Sequence, residues 1–207
     1  MGASVAIAAS GLLLALFSLV HLAGLGFAWW DPAGFERYAT ALHQAPWLPL
    51  LEGGLLVALL LHPARALARA VTNRAARGGA APRSRRTGGM EPLASLAGRL
   101  MPWSGGLLLL FLGVHLAQLR LRRPEAGAEL AALLGVLRQP HWLALYAAAG
   151  VALGLHLLHG HESAQRSLGL LHPRNARPIR WTGRGLALLI GTGFTLLPVL
   201  LLGSGQP

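Results

Sequence analysis

The chain has 207 residues, of which 54% are hydrophobic and only 12% charged, with a mean hydropathy of +0.51. Soluble domains average about 25% charged residues, so this composition excludes a water-soluble globular fold and points to lipid as the solvent. All 18 basic residues are arginines clustered between long apolar runs; the net charge of +11 is therefore a topology signal rather than a nucleic-acid footprint.

A hydrocarbon core of ~30 Å needs roughly 20 apolar residues per helix, and five segments qualify. They are residues 5–29 (helix I), 47–67 (helix II), 96–119 (helix III), 141–163 (helix IV) and 185–202 (helix V). No basic stretch precedes the first, and residues 4–30 are too long for a signal-peptide core, so helix I is expected to be retained. Uninterrupted Leu, Ala and Gly runs without period-two alternation predict helices rather than barrel strands. The expected fold class is all-α integral membrane, one domain over residues 1–207, with helices I–IV forming a four-helix bundle and a basic loop at 68–95. There is no cysteine, which excludes disulfides, thiolate iron–sulfur ligation and thioether-attached haem.

The loops set the direction of each span. Residues 65–99 carry eight arginines and residues 164–184 five. Arg37, Arg120, Arg122, Arg123 and Arg138, on the other side, are offset by Asp31, Glu36, Glu125 and Glu129. The positive-inside rule places the first set in the cytoplasm, which predicts a cytoplasmic N-terminus and a C-terminus outside.

An offset of 94 residues aligns SGLLLALFSLVHLAGL at 10–25 with SGGLLLLFLGVHLAQL at 104–119. Leucine matches are cheap in this composition, but the Ser-Gly start, Phe17/Phe111 and the Val-His-Leu-Ala strings are not. Without a gap the same offset pairs Pro46 with Pro140 and His62 with His156. Helices I–II and III–IV read as two copies of one hairpin in the same orientation, with helix V outside the repeat.

Ionisable side chains inside a membrane are costly and by default mark function. His21 and His115 fall toward the outer ends of helices I and III; His62 and His156 fall in the inner halves of helices II and IV. They form two pairs at matched depth, separated by ~12–15 Å at a rise of 1.5 Å per residue. Zinc prefers four ligands, usually with Cys or carboxylate among them, and neither pair has a nearby acid. Haem iron needs one ligand on each face, and Gly24, Gly113, Gly154 and Gly160 would let a flat macrocycle approach the backbone. The pattern thus predicts two b-type haems, the iron of each held through two imidazoles, with no open coordination position. Taken singly, each histidine could instead make an interhelical hydrogen bond. His159, three residues from His156, is the rival ligand; His161 lies nearer the loop, and His43, His141 and His172 fall in loops or at interfaces.

The strings SGLLLALFSLVHLAG, FERYATALHQAPWLPLLEGGLLVALLLH and GLHLLHGHESAQRSLGLLHPR resemble the cytochrome b558-type di-haem membrane anchor subunit of succinate dehydrogenase and fumarate reductase, the succinate:quinone oxidoreductases. The similarity covers nearly the whole chain. It implies that His62 and His156 ligate a proximal haem near the cytoplasm, and that His21 and His115 ligate a distal haem. One departure is the Arg/Gly/Pro-rich loop at 74–89, expected to be partly disordered, which widens the gap between helices II and III.

What the resemblance further implies is an electron path in the bacterial cytoplasmic membrane. A flavoprotein subunit and an iron–sulfur subunit, both separate chains, would interconvert succinate and fumarate. Electrons would then pass through the two haems to or from a quinone, menaquinone or ubiquinone, on the outer side. Arg65, Arg166 and Arg180 are candidates to dock the partner or pair with haem propionates. Glu52, the one acid within an apolar run, is the candidate for proton transfer with quinone, and the family carries an acid at this place. Arg37, His43 and Gln44 are further quinone candidates, while Glu162 is expected to be solvated. Two other classes remain open from the residues: the cytochrome b anchor of a hydrogenase or formate dehydrogenase, and a haem-free transporter or structural membrane protein.

Overall fold

The computed structural model describes residues 2–76, 78 and 91–204, and among these 87% are helical and none lies in a strand. The helices are α1 (Gly2–Trp30), α2 (Pro32–Gln44), α3 (Leu48–Ala76), α4 (Glu91–His115), α5 (Glu129–Leu137), α6 (Pro140–Ser167) and α7 (Ala176–Gly203), with a π-helical turn at Leu116–Arg120. Five helices are long and apolar enough to cross a membrane: α1, α3, α4 with its π turn, α6 and α7. They are helices I to V of the sequence. Most of the 74–89 loop lies outside the described residues.

Lipid as solvent explains what this surface shows. Leu16, Leu50, Leu60, Leu110 and Leu188 all stand exposed along the spanning helices, which in water would be a large penalty and in hydrocarbon is none. Trp29, Trp30 and Trp47 are exposed at one end of the bundle, named outer after the expected orientation, and Trp181 at the opposite, inner end, where amphipathic rings favour the headgroup level.

Several helices run past their apolar stretches. α3 continues nine residues beyond position 67, and α7 begins at Ala176 rather than 185. Hydropathy marks where lipid begins, not where the backbone stops coiling, and the Ala- and Arg-rich extensions are good helix formers in water. Part of the basic 68–95 loop is therefore helix.

Two short helices occupy the outer loops, α2 and α5, both absent from the sequence reading. Asp31 caps α2 by accepting the Gly34 N–H at 2.8 Å, with Pro32 in the first turn; this is a standard helix start. Phe35 and Ala39 form its buried stripe. α5 lacks a cap of its own, and Glu36 of α2 supplies one, accepting the backbone N–H groups of Leu130 at 2.8 Å and Glu129 at 3.2 Å. A carboxylate at a helix N-terminus satisfies orphan donors and suits the macrodipole. Burial pushes the Glu36 carboxyl up, aided by its hydrogen bond to Glu129. Burial would raise Glu129 too, but hydrogen bonds with Glu36, Gly127 and His43 outweigh it and hold Glu129 low.

The 94-residue offset carries α2 onto residues 126–138, overlapping α5. Each repeat is thus a spanning helix, a short outer helix and a second spanning helix. Leu130, Leu133, Leu134 and Leu137 of α5 pack with Ala28, Phe35, Ala39, Tyr146 and Leu201 to form a buried core at the outer end.

Helix α7, outside the repeat, packs closely on α6. A Cβ on Gly150 would come within 2.6 Å of the Thr195 backbone N, and one on Gly191 within 2.7 Å of the Gly154 Cα. Small residues let two backbones approach in lipid, where dispersion rather than the hydrophobic effect joins helices.

Candidate functional site: two pairs of facing histidines

The structure brings the four intramembrane histidines together as the sequence reading paired them. The ring centres of His62 (α3) and His156 (α6) are 6.1 Å apart, and those of His21 (α1) and His115 (α4) are also 6.1 Å apart. A metal–imidazole nitrogen bond of about 2.0–2.1 Å, plus roughly 1.1 Å from nitrogen to ring centre, sets two rings on opposite sides of one metal roughly 6.3 Å apart. Packed aromatic rings also prefer 4.5–7 Å, so spacing alone does not separate a ligand pair from a contact. The hydrogen bonds show which ring nitrogens are already engaged.

His62 Nδ1 lies 3.1 Å from the Ile7 carbonyl and 3.3 Å from Ser10 Oγ. A carbonyl can only accept, so Nδ1 carries the proton. His156 Nδ1 lies 3.2 Å from Ser104 Oγ, whose own proton goes to the Met101 carbonyl at 3.2 Å. Ser104 must then accept, and Nδ1 of His156 is also the protonated nitrogen. Both Nε2 atoms are left as bare lone pairs. Two acceptors across an apolar gap cannot satisfy each other, and burying an unpaired polar atom costs about 1–3 kcal/mol by protein mutational data.

In the outer pair one histidine, His115, is fixed in the same way. Tyr146 donates its hydroxyl proton to Gln118 Oε1 at 3.1 Å, and so accepts from His115 Nδ1 at 3.2 Å. His21 is held by rings: Phe17 stacks on it at 5.4 Å and Phe194 of α7 at 6.0 Å. Phe111 stacks on His115 at 5.4 Å, repeating the Phe17–His21 contact 94 residues on.

The residues fit a flat metal macrocycle with one ligand on each face. The largest fully buried side chains, Leu134, Leu137 and Ile190, belong to α5 and α7. None comes from α1, α3 or α4, the helices that carry His62, His21 and His115. Among the described residues no group of three or more His, Asp or Glu is placed to hold a bare metal ion, so each pair would offer a group only its two imidazoles. Backbone also comes close to the inner pair: a Cβ on Gly11 would lie 2.8 Å from His62 Cε1, and one on Gly105 3.4 Å from His156 Cε1.

The other candidates fall into place around these pairs. His159 packs against Gly98 of α4 and His161 against Gly183 of α7. His43 bonds Glu129 at 3.2 Å, and His141 packs on Trp142. The His172 backbone N–H is bonded by Asn175. Glu162, expected to be solvated, is instead largely buried in ion pairs with Arg166 at 2.8 Å and Arg180 at 3.2 Å. Those two arginines therefore serve an intramolecular network at the inner end of α6 and α7. Arg37 lies 3.7 Å from Asp31 on the outer face, and a cleft lined by Glu36, Arg37, Thr40 and Gln44 opens beside it.

Glu52 is held by Arg120, which donates from Nε at 2.7 Å and NH2 at 2.6 Å, with Arg123 3.9 Å away. The bidentate geometry comes from the π turn, which carries both Gln118 and Arg120. Such turns concentrate at functional positions because the extra residue re-aims side chains. Sequence reasoning missed Ser10, Ser104, Tyr146, Gln118 and Phe194. The serines had left a trace, since the Ser-Gly dipeptide precedes each inner histidine by the same 52 residues. Phe194 had none.

Compared with known protein families, with curated proteins and with solved structures, the chain matches none.

Proposed function

We propose that this chain is a di-haem membrane cytochrome b, holding one haem between His62 and His156 and a second between His21 and His115. Within that class, we infer that it is the membrane anchor of a succinate:quinone oxidoreductase in a bacterial cytoplasmic membrane. Its N-terminus lies in the cytoplasm, and a flavoprotein and an iron–sulfur subunit seat on the inner face. The observation that supports the class is the recurrence of one geometry: two imidazole pairs, each at 6.1 Å, at positions related by the internal repeat. The sequence resemblance supports the particular assignment.

Haem held by His62 with His156 and by His21 with His115 would supply reversible one-electron transfer. The chain does the rest. α1, α3, α4 and α6 stack the two centres along the bilayer normal, one toward each face. Nδ1–H donation from His62, His156 and His115 fixes the tautomer that presents Nε2. Glu52, ion-paired with Arg120 near the outer interface, is placed to take a proton from a quinol hydroxyl, with Arg120 holding the carboxylate in position.

The direct test is a dithionite-reduced absorption spectrum of the purified full-length chain, with haem quantified per polypeptide. Two haems per chain and a sharp α-band are expected; a colourless protein would defeat the proposal. Co-isolation of the native complex tests the particular assignment, which requires a flavoprotein and an iron–sulfur protein as companions. A nickel–iron hydrogenase or a formate dehydrogenase in their place would overturn it. Replacing Glu52 by glutamine is expected to lower quinol-dependent turnover by about 10²–10⁴-fold, the usual weight of a positioned acid–base group, with both haems retained. Unchanged turnover would remove Glu52 from the reaction.

A further inference from the structure

We propose that Ser104 and Tyr146 are positioning residues that tune the two haem centres separately, through hydrogen bonds to the Nδ1 atoms of His156 and His115. The inference rests on the di-haem reading above and goes beyond the identity of the ligands. It begins with where each hydroxyl proton goes. Ser104 spends its proton on the Met101 carbonyl one turn back in its own helix. Tyr146 spends its proton on Gln118. Each oxygen is thereby turned into an acceptor for an imidazole N–H, at 3.2 Å in both cases. An acceptor at Nδ1–H pulls that proton, makes the ring a stronger donor at Nε2 and favours the more positive state of a bound metal. Removing the acceptor weakens that donation.

The two centres differ in their support. In the inner pair, His62 has two acceptors, Ser10 and the Ile7 carbonyl, and Ser10 itself donates to the Ala6 carbonyl. Losing Ser10 still leaves the Ile7 carbonyl. His156 leans on Ser104, so Ser104 is the sensitive position of the inner centre. In the outer pair, His115 leans on Tyr146, which also packs edge-on against Phe111 with ring centres 4.9 Å apart. Ser10 and Ser104 are repeat-related and serve the inner centre, whereas the repeat counterpart of Tyr146 is Glu52, an acid tied to Arg120. The repeat therefore diverged at the outer centre and kept its symmetry at the inner one.

The experiment is potentiometric titration of both haems in the full-length chain, with low-spin electron paramagnetic resonance, on wild type and on Ser104→Ala, Ser104→Thr, Ser10→Ala and Tyr146→Phe. Ser104→Ala is expected to raise the inner midpoint potential and leave the outer one in place, and Ser104→Thr to restore the wild-type value. Tyr146→Phe is expected to raise only the outer potential, and Ser10→Ala to move the inner potential less than Ser104→Ala does. Two bound haems whose potentials ignore both Ser104→Ala and Tyr146→Phe would overturn the inference and leave the di-haem reading standing, as would shifts of both haems together in either variant. A wild-type chain without haem would remove both.

Discussion

On the di-haem proposal, replacing His62 by alanine is expected to take the haem content from two per chain to one, and His156→Ala to do the same. The two rings form one 6.1 Å pair, while His21 and His115 form a second pair on other helices. Loss of either inner ring leaves the remaining imidazole facing apolar side chains, with no second ligand. The outer centre keeps both its rings, and their packing by Phe17, Phe111 and Phe194 is untouched. His159→Ala serves as the control: that ring packs against Gly98, so both haems should remain. Haem stoichiometry by pyridine haemochrome, together with two-step against one-step reductive titration, checks the result. Retention of two haems in both His62→Ala and His156→Ala would defeat the ligand assignment.

The second large effect lies where no ligand sits. Gly150→Val is expected to destabilise the chain and to release the outer haem before the inner one. A Cβ at this position would lie 2.6 Å from the Thr195 backbone N and 2.8 Å from the Phe194 carbonyl carbon. Both are backbone atoms, so relief requires moving α7 itself rather than turning a side chain. Overpacking of this kind costs about 1–3 kcal/mol, occasionally more. The neighbour that must move is Phe194, the ring that stacks on His21; the inner pair has no ring from α7. Thermal denaturation in detergent, followed at each haem's own absorbance, should show a lowered midpoint with the outer signal lost first. Simultaneous release of both haems at the wild-type temperature would argue that α7 does not buttress the outer centre.

Much of this was legible in the residues. Long apolar runs in a chain with few charges leave no solvent but lipid, so five spans followed from composition. Proteins repeat a successful hairpin with its critical residues in register, which is why Ser-Gly, Phe, His and Pro recurred together and why the histidine pairs could be named before the fold was seen. The helix ends were less legible, because α3 and α7 continue into water on Ala and Arg where hydropathy falls silent. The outer helices α2 and α5 were missed for a related reason: each is short, and α5 receives its N-terminal cap from Glu36, 93 residues away.

The sequence by itself determined that the chain lives in a membrane, that its first four spans are a duplicated hairpin, and that four of its nine histidines fall at paired depths. Only the tertiary structure decided which nitrogen of His62, His156 and His115 is hydrogen-bonded. The tautomer of an imidazole depends on the neighbour its second nitrogen meets, and for His156 and His115 those neighbours are hydroxyls 52 and 31 residues away in the chain. Only the packed bundle could show that Glu52 is locked by Arg120 through a π turn, and that α7, outside the repeat, lends Phe194 to the outer pair. Periodicity and spacing record which face and depth a residue occupies along its own helix; contacts between helices depend on crossing geometry, which in lipid is set by where small residues let backbones meet.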